Sequence, residues 1–314
     1  MRLIYSFCFG EECYFKMAQE MIGSVRTHGF DGEILILADR EWEFEGAETR
    51  VLHLEGERLW KSAILDAVRP EDYEKILYLD TDIICVKPID WAFTYESVTV
   101  AVGSTLLYSS PGTSHQLSKD ELQAAQTLNI RAINTGAMAF PGGLAREFLT
   151  HWEMAWKLRK RRGSLLWSKA TKDQLTEEGV LQLLYFQQDV ALDVMPHEKM
   201  MFPCLTAMPG YCGKAFSSRT GLLHFLSNST KMHSKEAILE YMRRSRLPEN
   251  IPDVMAELHE RCRRLVASVN PREIADNAIG RLNGALKSID ERLATLEKAL
   301  ASEGQPIGEK VTQL

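Results

Sequence analysis

No apolar run in this 314-residue sequence approaches the roughly 20 residues that a membrane-spanning helix requires. The first ten residues, MRLIYSFCFG, lack the basic head and long apolar centre of a secretory signal, and they predict a first strand instead. We therefore expect a cytoplasmic protein, either free or peripheral at the inner face of a membrane.

An excess of positive charge and paired cysteines are also missing. The net charge of −6 argues against a general nucleic-acid-binding surface. The 6 cysteines form no C-x-x-C pair, so free thiols in a reducing compartment are the simplest explanation. With 45% hydrophobic and 25% charged residues, the composition is typical of a globular protein, and the length suits one large α/β domain with an appendage.

The N-terminal part predicts alternating strands and helices. Apolar residues fill a strand over residues 2–9, recur at helical spacing over residues 12–28, and fill a second strand over residues 33–38. Such a βαβ start predicts a parallel sheet. It is not a dinucleotide-binding fingerprint, because no G-x-G-x-x-G follows the first strand. Further strands are expected over residues 50–54 and 97–102, and a helix over residues 57–68.

The segment YEKILYLDTDIICVKP carries the strongest chemical signal. A buried strand over residues 75–79 leads into Asp80 and Asp82, whose side chains point to the same side of an extended chain. Two adjacent carboxylates repel each other unless a cation lies between them. Oxygen ligands suit Mg²⁺ or Mn²⁺, and such ions usually accompany a phosphate-bearing substrate. A solvated Asp-rich turn is the alternative, but a second apolar run at residues 83–86 favours the metal site.

This segment resembles the D-x-D segment of GT-A fold glycosyltransferases, in particular the retaining, family 8-like group that includes glycogenin and bacterial lipopolysaccharide galactosyl- and glucosyltransferases. Four ordered segments carry the resemblance over roughly residues 1–235. It implies a Rossmann-like α/β fold with a mostly parallel central sheet. It also implies Mn²⁺ (or Mg²⁺), held by Asp80 and Asp82 against the diphosphate of a nucleotide sugar.

Two donor-binding residues follow from the resemblance. Lys61 stands where the family places a cation before the D-x-D strand, although a solvated helix lysine explains it about equally well. The strand at residues 132–140 contains Asn134 and Gly136, and the family's sugar-binding strand has this pattern. The glycine lets another group approach the backbone, and the amide can bind sugar hydroxyls. A β-bulge with a locally satisfied Asn is the alternative.

Gln187, Gln188 and Asp189 stand where the family has a D-Q-D run close to the anomeric carbon and the acceptor. The resemblance assigns Gln187 to the donor sugar, and Gln188 and Asp189 to the catalytic centre. Because the first acid of the family's run is an amide in this chain, the departure affects the identity of the sugar more than the reaction.

A late strand over residues 220–225 ends at His224, which matches the family's third metal ligand. Lys231 follows one residue later than the family's diphosphate-binding lysine, and the family's glycine and Pro-Trp are missing. Two carboxylates and one imidazole make a reasonable Mn²⁺ site. A satisfied structural histidine is the usual alternative.

The remaining segments lie outside the four matched motifs. Residues 142–162 form a helix with a basic end, KLRKRR, which suits the helix dipole or alternatively an anionic acceptor or membrane surface. Residues 103–129 could be a substrate-binding lid or a disordered insertion. Apolar residues over 275–300 repeat as a coiled-coil seam of about three and a half heptads, which predicts a homo-oligomer. We expect a GT-A domain over residues 1–233, a helical extension over 234–270, an oligomerisation helix over 271–302 and a disordered tail over 303–314.

The sequence thus predicts a metal-dependent glycosyltransferase that moves a hexose from a nucleotide diphosphate sugar, most simply a UDP-sugar, to an unidentified acceptor with retention. No double-displacement nucleophile is identifiable from the residues. Two alternatives stay open: a non-catalytic nucleotide-sugar-binding or scaffold protein, and a D-x-D phosphatase that forms an aspartyl-phosphate on Asp80.

Overall fold

The computed structural model describes residues 1–53, 59–106, 119–127, 131–166, 177–186, 189–205, 216–225 and 234–268. The chain divides into two units, Met1–Cys262 and Arg263–Leu314. All described residues except 263–268 belong to the first unit. Among the described helices, none is both long and apolar enough to cross a membrane.

The regular elements alternate along the chain as the sequence predicts. The described strands are β1 (Arg2–Cys8), β2 (Glu33–Ala38), β3 (Glu48–Val51), β4 (Lys75–Leu79), β5 (Ile83–Cys85), β6 (Thr99–Leu106), β7 (Arg131–Pro141), β8 (Asp193–Val194), β9 (Met200–Met201) and β10 (Leu222–His224). The described α-helices are α1 (Glu12–Thr27), α2 (Ile64–Ala67), α3 (Lys119–Thr127), α4 (Gly142–Leu166), α5 (Glu177–Phe186), α6 (Lys235–Ser245) and α7 (Ile251–Ser268).

The described part of the chain forms a central sheet with the strand order β3-β2-β1-β4-β7-β6-β8. Neighbouring strands are parallel except at β7, which runs antiparallel to both β4 and β6. The expected fold class, an α/β architecture with a mostly parallel central sheet, is confirmed. The antiparallel β7 has a consequence for function, since it brings its N-terminal residues to the edge at which β4 ends.

Helices cover both faces of this sheet, and alternate residues of each strand therefore enter different cores. In β1, Ile4 packs on the face covered by α1, whereas Leu3 and Tyr5 pack on the face covered by α4 and α5. All three side chains are fully buried. Burial on both faces explains why β1, β2 and β4 read as nearly continuous apolar runs.

A second, smaller sheet carries the late strand. β10 pairs antiparallel with β5 and parallel with β9. Its outer face packs against α6 and α7 through a third apolar cluster that includes Leu223 and Phe225. Ser234 caps α6 by accepting a hydrogen bond from the Ala237 backbone N–H over 3.2 Å, and it marks the composition shift seen in the sequence.

The segment before β4 differs from the single helix expected over residues 57–68. Residues 60–63 form a 3₁₀ helix, and only α2 continues as α-helix. Val68 is extended at φ −140° and ψ 167°, and Arg69 precedes Pro70, which disfavours a helical conformation. The helix therefore ends at Ala67.

The predicted coiled coil at residues 275–300 lies outside the described residues, as does most of the segment at 103–129 proposed as a lid. The homo-oligomer and the division of the chain into four parts stay predictions.

Within the first unit, α6 packs against α1 through ion pairs that join Lys235 to Glu11, and both Arg243 and Arg246 to Glu20.

Candidate metal centre

Asp80 and Asp82 lie where the chain leaves the central sheet. β4 ends at Leu79, and the backbone N–H of Asp80 then donates to the Gly136 carbonyl over 2.7 Å. The backbone N–H of Ile83 donates to the Asp80 carbonyl over 3.2 Å, closing a turn that leads into β5. The two carboxylates therefore sit at the carboxyl end of a parallel strand, between the two sheets.

The smaller sheet brings His224 to these carboxylates. In the antiparallel pair of β10 with β5, His224 is opposite Ile83. The backbone N–H of Phe225 donates to the Asp82 carbonyl over 3.0 Å, which fixes the register at the end of the strand. A residue more than a hundred positions away along the chain is thus placed next to the D-x-D turn.

The three side chains form a compact cluster, in which Asp80 is partly exposed and the other two are buried. His224 Nε2 lies 3.1 Å from Asp82 Oδ1 and 3.5 Å from Asp80 Oδ2. One ligand atom from each residue lies within 4.8 Å of the others. Only 6% of Asp82 and 2% of His224 are exposed. Two carboxylate oxygens and one imidazole nitrogen are a donor set that fits Mn²⁺ or Mg²⁺ with further ligand positions left for a substrate.

Asn134 orients the imidazole from behind. Its Oδ1 lies 3.2 Å from His224 Nδ1 and also accepts the Gly136 backbone N–H over 3.0 Å. A side-chain carbonyl can only accept, so we assign the Nδ1–H donor to His224. The Nε2 nitrogen then faces Asp80 and Asp82 with its lone pair available in the neutral ring, which is the usual arrangement of a ligating histidine.

The strand that carries Asn134 is bulged, as the sequence alternative anticipated. Two successive residues of β6, Val100 and Ala101, pair with Met138 and Asn134. Residues 135–137 therefore loop out of the β6–β7 ladder toward the end of β4. The bulge is thus part of the site, because it places Gly136 against Asp80 and His224.

Gly136 allows the imidazole to lie against the backbone. A Cβ atom built at this position would lie 2.7 Å from His224 Nδ1 and 2.8 Å from Asn134 Oδ1, both closer than real Cβ contacts. The sequence predicted that this glycine admits another group, and the group is the His224 ring.

Replacing Gly136 with Ala is expected to displace His224 and to weaken Mn²⁺ affinity about 10-fold, the lower part of the range for loss of support behind a metal ligand. Isothermal titration of the protein with MnCl₂ measures this. Gly143→Ala is the matched control, since a Cβ there meets no atom within 4 Å. Equal Mn²⁺ affinities of the two variants would contradict the role of Gly136.

Lys61 is a buried member of the same site. Its side chain is only 3% exposed, its Nζ lies 3.9 Å from Asp80 Oδ1, and it is paired with Glu177. The ammonium also lies over the Tyr78 ring, 4.8 Å from its centroid. Burial alone would lower the pKa of Lys61. The charges of Glu177 and Asp80 outweigh this effect, so the pKa is raised above its usual value. The solvated-lysine alternative is therefore wrong.

Glu177 and Glu178, at the start of α5, are site residues that the sequence analysis missed. Glu178 Oε2 accepts hydrogen bonds from Asn134 Nδ2 and from the Thr135 backbone N–H, each over 3.1 Å. Burial is the main cause that raises the pKa of Glu178 from 4.5 to about 7. The paired acids that open the apolar run EEGVLQLL were the available signal, but acids in a first helical turn are common for electrostatic reasons.

Asp189 lies elsewhere. It is exposed and follows the C-terminal end of α5, where its backbone N–H donates to the Leu184 carbonyl over 2.9 Å. A ten-residue helix is about 15 Å long, so Asp189 and the Glu177–Glu178 pair stand at opposite ends of α5. Gln187, Gln188 and Lys231 lie outside the described residues. The roles assigned to these four positions stay predictions.

The cluster has more acidic than basic side chains, which favours binding of a divalent cation. Asp80, Asp82, Glu177 and Glu178 supply four carboxylates, against the cations Lys61 and, when protonated, His224. Burial raises the pKa of Asp80, and Asp82 adds to this, whereas Lys61 and His224 oppose it. Burial lowers the pKa of His224, yet Asp82 and Asp80 raise it more. The negative field that favours a protonated imidazole also favours a bound divalent ion.

Comparison with known proteins adds little detail. No model of a known protein family matches the chain, and no curated protein matches it. Two crystal structures of the glycosyltransferase GlyE from Streptococcus pneumoniae TIGR4, one of them the apo form, are similar with TM-scores of 0.49 and 0.47 and identities of 12% and 13%. Each match covers 82% of this chain and 63% of the GlyE chain, so this chain spans less than two thirds of GlyE.

Proposed function

We propose that this chain is a metal-dependent glycosyltransferase of GT-A-like fold that moves a hexose from a nucleotide diphosphate sugar, with UDP-sugar as the donor, to an acceptor with retention. The compact cluster of Asp80, Asp82 and His224 at the carboxyl end of β4 supports this most directly. Ligands of open α/β sheets bind outside the carboxyl ends of the strands, where this cluster lies.

Asp80, Asp82 and His224 would hold Mn²⁺ or Mg²⁺, which would act as a Lewis acid on the negative charge of the departing diphosphate. Lys61 supplies a fixed positive charge 3.9 Å from Asp80. Its burial and its pairing with Glu177 hold the ammonium in place, so this charge need not reorganise during the reaction. Lys231 keeps its proposed role on the diphosphate through the resemblance alone.

On the sugar side, we propose that Glu178 and Asn134 act as one unit. The carbonyl oxygen and the amino group of the Asn134 amide both have protein partners, His224 and Glu178. Asn134 would therefore couple the position of the metal ligand to the position of Glu178. The carboxyl group of Glu178 has hydrogen-bonding capacity beyond the two donors that hold it, and sugar hydroxyls are suitable partners. Gln187, Gln188 and Asp189 keep the roles near the anomeric centre that the resemblance assigns to them.

Purified protein with Mn²⁺ should release free nucleoside diphosphate from one member of a panel of nucleotide sugars. Slow hydrolysis of the donor needs no acceptor, so this readout works before the acceptor is identified. EDTA should stop the release, and added Mn²⁺ should restore it, because the site depends on a divalent ion.

The other functions give different results in the same assay. Metal-dependent hydrolysis of p-nitrophenyl phosphate without release from any nucleotide sugar would favour the phosphatase. Calorimetric binding of the nucleoside diphosphate without turnover of any sugar would favour a binding or scaffold protein. Neither release nor binding would overturn the proposed function.

A further inference from the structure

The C-terminal half of α4 carries features that the donor site does not use. The N-terminal half of this helix packs on the central sheet, where Phe148, Leu149 and Trp152 belong to the apolar core. The sequence from residue 154 onward reads MAWKLRKRRGSLL, a mixture of large apolar and basic residues. The helix continues through this segment to Leu166.

The midpoint of α4 lies level with the candidate site. Trp152 Nε1 donates to the Glu177 carbonyl over 3.1 Å, and Glu153 Oε2 accepts the Ser62 hydroxyl over 2.5 Å. Glu177 directly precedes Glu178 in the chain, and Ser62 directly follows Lys61. At 1.5 Å per residue, the helix runs roughly 20 Å beyond these contacts. The end of α4 therefore continues well beyond the level of the candidate site.

Two large apolar side chains are exposed on this extension. Met154 is 59% exposed and Leu158 is 54% exposed. Residues four apart lie on the same face of a helix, so the two form one apolar stripe. A stripe of this kind has no partner of its own in the described part of the chain, and it lies in the segment where basic residues are concentrated.

The charge of this segment has one sign. Residues 157–162, KLRKRR, hold five basic residues in six positions, and no acid occurs between residues 154 and 172. This is a local excess of positive charge in a chain of net charge −6. Lys157 pairs with Glu153 over 2.6 Å. One or two cations would satisfy the dipole at a helix C-terminus, so the four remaining basic residues exceed that need. Apolar side chains flanked by Lys and Arg on a helix are typical of binding to the interface of anionic membranes.

We propose that the extension of α4, residues 154–166, docks on the surface of an anionic lipid bilayer. Met154 and Leu158 would enter the region between headgroups and acyl chains, and the basic residues would contact the acidic headgroups. If the proposed function holds, on which this consequence rests, docking would hold the candidate site near the bilayer, and the acceptor would be a molecule presented at a membrane surface.

The test is sedimentation of the full-length protein with vesicles of phosphatidylcholine, or of phosphatidylcholine and phosphatidylglycerol in a 2:1 ratio. We expect binding to the anionic vesicles only, and loss of binding at high salt. Met154→Ser with Leu158→Ser should lower the partition coefficient about 10-fold. Lys160→Glu with Arg161→Glu should lower it about 30-fold or more.

Matched controls separate location from net charge. Lys16→Glu with Arg219→Glu gives the same charge change at two exposed positions outside α4, and Leu247→Ser removes a 54%-exposed apolar side chain elsewhere. These variants should bind anionic vesicles as the unmodified protein does. Equal loss in controls and α4 variants, or no vesicle binding, would overturn the proposal. Binding to heparin but not to vesicles would assign the segment to a soluble polyanion instead.

The vesicle assay contains EDTA and no nucleotide, so it does not depend on the donor site. Asp82→Asn should bind vesicles normally. Failure of vesicle binding with intact donor hydrolysis would refute the docking surface alone, whereas normal vesicle binding without donor hydrolysis would refute the proposed function alone.

Discussion

Replacing Asp82 with Asn is expected to lower Mn²⁺-dependent release of nucleoside diphosphate by more than about 100-fold. Asp82 is 6% exposed and lies 3.1 Å from His224 Nε2. An amide oxygen carries no charge, so the variant loses one of the two charged oxygen ligands and part of the local attraction for a divalent ion.

Thermal unfolding distinguishes loss of the metal from loss of the fold. A ligand that binds only the folded state raises the melting temperature. Mn²⁺ should therefore raise the Tm of the unmodified protein and leave the Tm of Asp82→Asn unchanged. Without metal, the Tm of the variant should stay close to that of the unmodified protein, since the substitution also removes the repulsion between Asp82 and Asp80.

Asp253→Asn is a suitable control for this substitution. Asp253 is exposed in the first turn of α7, and the same chemical change there should leave both Mn²⁺ stabilisation and donor hydrolysis intact. If Asp82→Asn kept near-normal Mn²⁺ activation, the assignment of the metal site would be wrong.

Much of the fold could be predicted because its signals are local. β2 and β4 begin and end where their apolar runs do, since strands buried on both faces require apolar residues at every position. The helical spacing between residues 12 and 28 likewise corresponds to α1. Asp80 and Asp82 were recognisable because they directly follow such a run.

The rest depends on contacts that no local pattern encodes. The loop-out of residues 135–137 arises from the register of β7 against β6, and register is set by pairing between strands. The nearness of Glu178 to Asn134 depends on how α5 packs beneath β7. In the sequence, Glu178 is one acid among 43 acidic residues, whereas in the structure it is half-buried beside Lys61.

Replacing Glu178 with Gln is expected to stabilise the metal-free protein at pH 8 and to have little effect at pH 5. Burial raises the pKa of Glu178 to about 7, although the Thr135 N–H and Lys61 oppose it. Between pH 4.5 and 7, the folded state keeps a proton that the unfolded state has released. Stability therefore falls as the pH rises through this window, and above pH 7 the ionised carboxyl group costs at most about 3 kcal/mol.

Glutamine avoids this cost because it is neutral at every pH and keeps an oxygen that can accept from Asn134 and Thr135. Chemical unfolding in urea at pH 5, 6, 7 and 8 measures the difference, with EDTA present because a bound cation would lower the pKa of Glu178. Only the difference between variant and unmodified protein is used, so the titration of groups that do not interact with Glu178 cancels.

Glu177→Gln is the matched control, with the opposite sign. Glu177 is paired with buried Lys61, so its loss leaves that ammonium without its main partner and should destabilise the protein across the same pH range. If Glu178→Gln were less stable than the unmodified protein at pH 8, the ionised carboxyl group of Glu178 would stabilise the folded state. Burial would then not raise the pKa of Glu178. If instead the variant is more stable at pH 8 but slower in donor hydrolysis, Glu178 lowers stability in exchange for activity. A half-buried acid beside the candidate metal ligands is then explained by its role in the reaction, since it does not stabilise the fold.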